Sequence, residues 1–427
     1  MLGFRETMSL KPELRQNFLK NHWVKYPTAA TLNRGRLMEF NTEALTLETL
    51  NIKAKFKIIK PLSLMPGFLA SDCLKIGDIV EVELESNSVD NIKGIKLLVP
   101  ALGETPFSKS GFKVEQSQIW NKYLTHIREF FVKRKFIELR TPTLVPSPGL
   151  EPFLDPFKTK LTVGRTTRTL YLPTSPEFHL KKSLTLGFEK VFEFKECFRN
   201  GELSATHSPE FLMLEWYRAY EKIDCIVEDV RQLFEEIQKT FKPEAPPEKV
   251  MIFKMEDLWK DILDFDLKSN SDIKDLASLA RDLKVGEDEK DFDDLFNHIF
   301  LEKIEPALKK LNAPVIVWHY PPTQAALARL THDGWADRFE IYWRGFEIAN
   351  AFHELNNYEE QKLRFKKDQK KKKELGKEVV PLDEEFVSAL KWGMPPSAGI
   401  ALGVERLFMA LFDLKEIGQC RLFNLRA

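Results

Sequence analysis

Residues 191–218 bring together side chains that could bind a nucleotide and a positively charged molecule. The first half of this segment ends at Arg199, a polar loop carries His207, and the second half contains Phe211 and Glu215. A guanidinium and an imidazole can hold phosphate, a flat ring can stack on a base, and a carboxylate can pair with an ammonium group. The segment therefore predicts a site for a nucleotide and a cationic substrate. An amphipathic hairpin with a solvated polar face is the alternative.

Alternating apolar and polar residues predict the elements that hold these side chains. Both Val191–Arg199 and Glu210–Arg218 alternate along their length, which is typical of β-strands. The loop that joins the two strands is polar and carries Asn200, Glu202, Thr206, His207 and Ser208.

A helix start upstream offers another acid. In the segment YLPTSPEFHLKK, Ser175 is expected as the N-cap and Pro176 as the first helical residue. Glu177 then lies in the first turn, where the helix dipole favours an anion. A capping role and a ligand-binding role are both open for this glutamate.

Two further acids lie in residues 337–355, which predict a strand with an internal break. Glu347 and Glu354 are seven positions apart, so in an uninterrupted strand they would face opposite ways. They can share a ligand only if the chain bends or bulges near Asn350.

The end of the chain, MPPSAGIALGVERLFMALF, predicts a glycine-punctuated segment followed by a buried helix that begins near Glu405 and Arg406. Gly399 and Gly403 permit close approach of the backbone. An arginine at such a helix start can hold a phosphate group.

The bulk composition is that of an ordinary globular protein, with 43% hydrophobic and 30% charged residues. Lys+Arg and Asp+Glu are equal at 64 each, so charge does not demand a polyanionic partner. The four cysteines have neither metal-site spacing nor the density of a secreted scaffold. No run approaches a membrane span, so we expect a cytoplasmic protein without a membrane partner.

Two domains are expected. Residues 35–98 contain short β-rich runs, which predict a small barrel or sandwich, with an OB-like barrel as one option. Residues 100–111 are typical of a linker, so we place a β-rich domain at 1–105 and a larger domain at 110–427. The larger domain opens with a predicted helix at about 114–135 and contains a charged, helix-like insertion at 251–312.

Taken in order, the larger domain's motifs resemble the catalytic domain of class II aminoacyl-tRNA synthetases of the lysyl type. The helix and strand ending at Pro142 resemble motif 1, FRNGELSATHSPEF is similar to motif 2, and GIALGVERL is similar to motif 3. The resemblance covers about residues 110–427. It implies an α+β fold, an antiparallel sheet flanked by helices, beside the small N-terminal β-rich domain, and a homodimer formed through motif 1.

Within this superfamily the segments TSPEFHLK, LEWYRAY, PPTQAALA, FHEL and ALGVER are similar to the elongation factor P β-lysine ligases. Lysyl-tRNA synthetases usually have serine in place of His353 and glycine in place of Ala401. The resemblance implies that ATP, with Mg²⁺, activates lysine or (R)-β-lysine as the adenylate. The aminoacyl group then passes to a lysine of elongation factor P. tRNA is a possible but not favoured acceptor.

The resemblance also implies roles for the matching residues, with Arg199 and Arg406 as the catalytic arginines. The residues expected to bind ATP are Arg199, Asn200, Gly201, Glu202, His207, Ser208, Phe211, Glu347, Ile348, Gly403 and Arg406. Those expected to bind the amino acid are Ser175, Pro176, Glu177, Glu215, Tyr217, Asn350, Phe352, Glu354 and Ala401. Glu347 and Glu354 match acids near Mg²⁺.

Three features depart from the family pattern. Gly201 stands where motif 2 commonly has glutamate, with Glu202 one residue later, and Ala351 stands where glycine is usual. β-Lysine ligases also lack a counterpart of residues 1–105. That extra region keeps a lysyl-tRNA synthetase with a reduced N-terminal domain as the alternative, and Gly201 keeps a non-catalytic regulatory protein as a third.

Overall fold

The computed structural model describes residues 34–40, 44–48, 53–57, 76–84, 92–99, 101, 114–269, 272–286, 289 and 291–423. These residues form two compact units, which divide between Trp120 and Asn121, with Arg421–Phe423 grouped in the first. Apart from residue 101, the predicted linker at 100–111 lies outside the described residues. The predicted domain boundary between 105 and 110 stays a prediction.

The first unit contains a five-stranded antiparallel sheet in the order β3-β2-β1-β4-β5. Its strands are β1 (Arg34–Phe40), β2 (Ala44–Glu48), β3 (Lys53–Lys57), β4 (Ile79–Leu84) and β5 (Ile92–Val99). Leu37, Val80, Val82 and Ile95 are fully buried. The short apolar runs of the sequence therefore form strands that bury one set of β-branched and aliphatic side chains.

The second unit is built on an eight-stranded sheet. Its strands and the separate β7–β8 ribbon are β6 (Ile137–Glu138), β7 (Lys158–Val163), β8 (Thr166–Tyr171), β9 (Lys190–Phe198), β10 (Glu210–Ala219), β11 (Met251–Lys254), β12 (Val315–Tyr320), β13 (Ala336–Trp343), β14 (Phe346–His353) and β15 (Ser397–Gly403). The sheet order is β11-β12-β13-β14-β15-β10-β9-β6. Only the outermost pairs, β11–β12 and β6–β9, are parallel. The predicted antiparallel sheet is confirmed.

Helices flank this sheet. They are α1 (Val114–Lys133), α2 (Glu177–Thr185), α3 (Asp224–Phe241), α4 (Met255–Leu263), α5 (Ile273–Leu283), α6 (Phe292–Ile299), a π-helical turn (Phe300–Ile304), α7 (Glu305–Lys309), α8 (Tyr358–Glu374), α9 (Glu384–Trp392) and α10 (Val404–Phe412). Within the described residues, no helix combines the length and the hydropathy that crossing a membrane requires.

The apolar stripe predicted on α1 packs on the sheet. Phe131 is fully buried, and its ring stacks on Phe192 of β9 with centroids 4.9 Å apart. The same ring lies 5.1 Å from the ring of Trp216 in β10. Burial of each such aromatic side chain contributes about 1.5–3 kcal/mol. These contacts join α1 to β9 and β10, the two strands of the central hairpin.

The charged stretch at 251–312, predicted as a helical insertion, has a core of its own. Trp259 of α4 stacks on Phe296 of α6 at 4.9 Å, and both rings are buried. The cluster also includes Val315 and Val317 of β12. The charged residues of this stretch therefore lie on faces of helices whose apolar sides cover the end of the sheet.

Residues 337–355 form a hairpin, which corrects the prediction of one strand with a break. The turn between β13 and β14 is Arg344–Gly345, and both residues have positive φ, at 53° and 83°. That backbone suits a tight hairpin turn, and Gly345 adopts it without steric cost. The sequence pattern showed the alternation but not the reversal of chain direction.

Candidate active site

Neighbouring strands place three polar residues and Ala401 in one row across the sheet. Glu215 in β10 lies opposite Ala401 in β15, and Ala401 lies opposite Asn350 in β14. Asn350 in turn lies opposite Glu340 in β13. Directly paired residues share a sheet face. Side chains that are up to 186 residues apart in sequence are therefore neighbours, as Glu215↔Ala401 illustrates.

A cavity of about 580 Å³ lies over this row. It is lined by predicted residues from the segments similar to motifs 2 and 3 and from the segments between them: Ser175, Glu177, Arg199, Glu202, His207, Ser208, Phe211, Glu215, Glu347, Ile348, Asn350, Phe352, Ala401, Gly403 and Arg406. Five predicted residues do not line it: Pro176, Asn200, Gly201, Tyr217 and Glu354.

Arg199 lies at the centre of the cavity wall with an unused donor. Its guanidinium lies 5.0 Å from the centroid of the Phe211 ring, and Glu202 is 3.9 Å away. The buried Nε of Arg199 has no hydrogen-bond partner among the described residues. An unpaired buried donor of a charged group is costly, so the site is suited to an anionic ligand that accepts from Arg199.

Arg406, in the first turn of α10, ties the loop after β9 to the hairpin β13–β14. It donates to His207 Nε2 at 2.7 Å and to the carbonyl of Glu347 at 2.9 Å. Because Nε2 accepts, His207 is neutral with its proton on Nδ1, which lies 2.9 Å from Ser204 Oγ. Burial and the nearby Arg406 lower the pKa of His207, in agreement with a neutral ring.

Sequence reasoning missed the role of Glu405. Both of its carboxylate oxygens accept from the backbone N–H of Leu212, at 3.0 and 3.1 Å. This buried contact holds the start of β10 against α10 and so places Phe211 in the cavity wall. The only signal in the sequence was the position of Glu405 beside Arg406 at a helix start.

Acids dominate the other end of the cavity. The Tyr217 hydroxyl donates to Glu215 Oε2 at 2.9 Å, while Glu215 Oε1 is buried without a partner among the described residues. Burial, with Glu177 nearby, raises the pKa of Glu215 well above its usual range. Burial likewise raises the pKa of Glu354 to about 8. Buried carboxyls of this kind are suited to a ligand that brings positive charge.

Gly399 makes this packing possible. A Cβ at position 399 would overlap the ring of Tyr217 and lie 2.7 Å from Glu354 Oε1. Tyr217 lies directly opposite Gly399 in the pairing of β10 with β15. The glycine that the sequence singled out for close backbone approach is therefore required by two predicted substrate residues.

The start of α2 differs by one residue from the prediction. The helix begins at Glu177, and Pro176 occupies the cap position instead of the first helical position. Ser175 Oγ still accepts from the backbone N–H of Glu177, at 3.3 Å. Glu177 itself lines the cavity and pairs with Lys181, so it acts there and not as a cap.

That Glu347 and Glu354 are both acids near Mg²⁺ stays a prediction. A bulge at Ile348 shifts the register between β13 and β14 and places both acids on the same face. They are nevertheless roughly 20 Å apart along the extended strand, and Glu354 pairs with Lys181. Within the part of the chain that the structure describes, no three His, Cys, Asp or Glu residues cluster as a metal site.

Glu340 is the acid that accompanies Glu347. Both line the cavity, and they are diagonal neighbours across β13 and β14, at a typical Cα separation of about 7–8 Å. Burial and Glu340 raise the pKa of Glu347. Arg338 pairs with Glu340, and the Tyr320 hydroxyl donates to it at 2.6 Å. Sequence reasoning missed Glu340 because it did not resolve the hairpin.

Gly201 has a backbone reason for replacing the usual glutamate. Its φ is +86°, and nothing lies within 4 Å of the point that a Cβ would occupy, so the residue forms an open left-handed turn. Glu202, one residue later, reaches the cavity instead. The departure from the family pattern therefore moves the carboxylate by one position without removing it from the cavity wall.

The antiparallel sheet, the arginines on either side of the cavity and the row of acids define a class of protein. The chain belongs to the family described as tRNA synthetases class II (D, K and N), whose model matches residues 114–426. It is therefore a synthetase-like ligase.

Among curated proteins, the chain is similar to the elongation factor P–(R)-β-lysine ligase of Haemophilus influenzae (strain PittGG). The two are 34% identical over 300 residues, which is 69% of this chain and 90% of that protein. The ligase of the same description from Klebsiella pneumoniae (strain 342) is 33% identical over 70% of this chain and 92% of its own length. The one from Edwardsiella ictaluri is 34% identical, over 70% and 92% respectively.

Proposed function

We propose that this ligase uses ATP to activate lysine or (R)-β-lysine and transfers it to a lysine side chain of elongation factor P. The observation that carries the proposal is one cavity lined by both Arg199 and Glu215, in which the buried Nε of Arg199 and the buried Oε1 of Glu215 have no hydrogen-bond partner among the described residues. The shared description of relatives matched over about 90% of their length supports the acceptor.

In the first step, a carboxylate oxygen of the amino acid attacks the α-phosphorus of ATP. A new O–P bond forms, the bond to the β-phosphate oxygen breaks, and pyrophosphate leaves. Phe211 stacks on the adenine opposite Arg406, and Arg199 pairs with the substrate carboxylate and the α-phosphate. Such catalysis depends on positioning and on charge neutralisation. Arg199 and Arg406, which both line the cavity, supply the positive charge.

Magnesium fits the acids at the nucleotide end. Mg²⁺ prefers one or two carboxylates together with phosphate oxygens, and Glu347 and Glu340 line the same cavity. These two residues would hold the ion, which when bound neutralises negative charge on the phosphates. Arg338, paired with Glu340, keeps that carboxylate oriented toward the cavity.

The substrate ammonium groups go to the acidic end. Glu177 and Glu215 line the cavity there, and Asn350 lies across from them on the sheet face. A desolvated ammonium requires a paired anion. Ala401, between Glu215 and Asn350, adds a methyl group to the pocket floor and favours β-lysine over α-lysine by shape.

In the second step, the amine of the acceptor lysine attacks the carbonyl carbon of the adenylate. An amide bond forms, the mixed anhydride bond breaks, and AMP leaves. The five-stranded N-terminal sheet favours one alternative, in which tRNA accepts the aminoacyl group instead. A cytoplasmic location and a homodimer are parts of the proposal.

The test combines purified protein, ATP and labelled lysine or (R)-β-lysine with either elongation factor P or tRNA. Label on elongation factor P supports the proposal. Label on tRNA alone contradicts the proposal and favours the alternative. Amino-acid-dependent pyrophosphate exchange without transfer to either acceptor supports the activation step but contradicts the proposed acceptor. No adenylate with any amino acid favours a non-catalytic protein.

A further inference from the structure

Lys181 is a buried cation to which the sequence analysis assigned no role. It lies on α2, and its side chain is only 1% exposed. Its Nζ is 2.5 Å from Glu177 Oε1 and 2.6 Å from Glu354 Oε2. One ammonium group therefore joins an acid of the cavity wall to an acid that lies behind it.

The two acids would repel each other without this cation. Glu354 is completely buried, and Glu177 is mostly buried, at 12% exposure. Two like charges in a shared buried site cannot both stay ionised unless a counter-ion compensates them. Three further groups interact electrostatically with this cluster. Glu215 interacts with Lys181 and with both acids, the Tyr217 hydroxyl interacts with both acids, and Glu151 interacts with Glu177.

Resting on the proposed function, we propose that Lys181 is a positioning residue for amino-acid specificity. Its ammonium group pairs with the carboxyl groups of Glu177 and Glu354 and so makes the pocket fit a substrate with two ammonium groups. At full ionisation, Glu177, Glu215 and Glu354 carry three negative charges and Lys181 carries one positive charge. With Glu151, which also lines the cavity, these side chains leave a net negative charge that suits the ammonium groups of lysine or β-lysine.

The pKa values agree with this geometry. Burial opposes charge on Lys181, but Glu177 and Glu354 outweigh it and raise the pKa of Lys181. Burial raises the pKa of Glu354 to about 8, and Lys181 limits the increase. Loss of Lys181 should therefore raise the pKa of Glu354 further, and its proton must leave before the acid can balance an ammonium group.

The experiment is amino-acid-dependent pyrophosphate exchange with lysine and with (R)-β-lysine, from pH 7 to pH 9, on Lys181→Met and Lys181→Arg. For Lys181→Met we expect the KM for the amino acid to rise about tenfold at pH 7, with little change in the KM for ATP. This KM should fall again as the pH rises and Glu354 ionises. Lys181→Arg, which keeps the charge, should retain most of the affinity.

Lys182→Met is the matched control. Lys182 is the next residue on α2, but its Nζ pairs with Asp383, at 3.0 Å, and with Glu385, outside the cavity. The Lys182→Met variant should therefore have an unchanged KM for the amino acid. A Lys181→Met protein that folds and keeps its KM within twofold at all pH values overturns the inference. Equal losses for ATP and amino acid without a pH effect show a purely structural role and overturn it too.

If Lys181→Met does not fold, the test variant is the double substitution Lys181→Met with Glu354→Gln. It removes the charges of both members of the buried pair. Its KM for the amino acid should be raised but should no longer depend on pH in this range. An unchanged KM in this variant contradicts the inference. Absence of exchange by the unaltered protein with either amino acid refutes the proposed function instead, so the two failures are distinguishable.

Discussion

Arg406 donates a hydrogen bond to His207 Nε2 across 2.7 Å and so joins the last motif of the chain to the loop of the central hairpin. The contact requires a neutral imidazole, since a protonated ring has no acceptor. Burial and Arg406 lower the pKa of His207, so the neutral form prevails at physiological pH. Protonation of His207 at acidic pH therefore breaks a contact between two residues that line the cavity.

The first prediction concerns this contact. The pKa of His207 is depressed in the folded protein, so its contribution to stability is complete above the ordinary histidine pKa of about 6.5 and is lost as the pH falls. The KM for ATP should rise in the unaltered protein as the pH falls below the ordinary histidine pKa and His207 gains a proton. His207→Ala should raise it about tenfold at pH 7 and remove the pH dependence. Pyrophosphate exchange between pH 5 and pH 8 measures the KM for ATP of the unaltered protein and of His207→Ala.

His298→Ala is the control for His207, because His298 is half exposed on α6 and does not line the cavity. Its pH profile should match that of the unaltered protein. A KM for ATP that varies with pH in the same way with and without His207 contradicts the assignment.

The second prediction concerns Arg199. Arg199→Ala should lower adenylate formation by about 10²–10³-fold, because a preorganised donor at the reacting phosphate is lost. The fold should remain, since the Nε of Arg199 holds no partner among the described residues. Single-turnover formation of the adenylate and thermal unfolding test the two parts separately. Activity that survives the substitution shows that the hairpin is misassigned.

The third prediction concerns Gly399. Gly399→Ala should destabilise the protein by about 1–3 kcal/mol, because the new methyl group overlaps the ring of Tyr217. The same change should raise the KM for the amino acid, since Glu354 also lies at the methyl position. Gly403→Ala, on the same strand, is the stability control: its nearest contact would be an ordinary 3.5 Å to Arg406. Equal urea midpoints for the two variants refute the packing argument.

The fourth prediction separates the acids of β13 and β14. Glu340→Gln and Glu347→Gln should each increase the Mg²⁺ concentration needed for half-maximal exchange, by about tenfold or more, because each removes a carboxylate ligand. Glu354→Gln should raise the KM for the amino acid and leave the Mg²⁺ requirement unchanged. A shift in Mg²⁺ requirement for Glu354→Gln alone would restore the pairing of Glu347 with Glu354.

The sequence by itself determined the local elements and most residues of the site. Alternation predicted β9 and β10, helical spacing predicted α1, and residue types identified Arg199, Phe211, Glu215 and Arg406 as a set that suits a nucleotide and a cation. Such inferences are possible because period and side-chain chemistry are local properties of the chain. The resemblance to class II synthetases added the order of the motifs, and the family match agrees with it.

Only the tertiary structure decided which acids act together. The turn at Arg344–Gly345 and the bulge at Ile348 pair Glu347 with Glu340, and a contact between α2 and the end of β14 pairs Glu354 with Lys181. Such partners depend on register and on helix placement, which arise from packing across the whole sheet and leave no periodic signal in the sequence. The residues of the site can therefore be predicted from the sequence, whereas which of their side chains lie together depends on the fold.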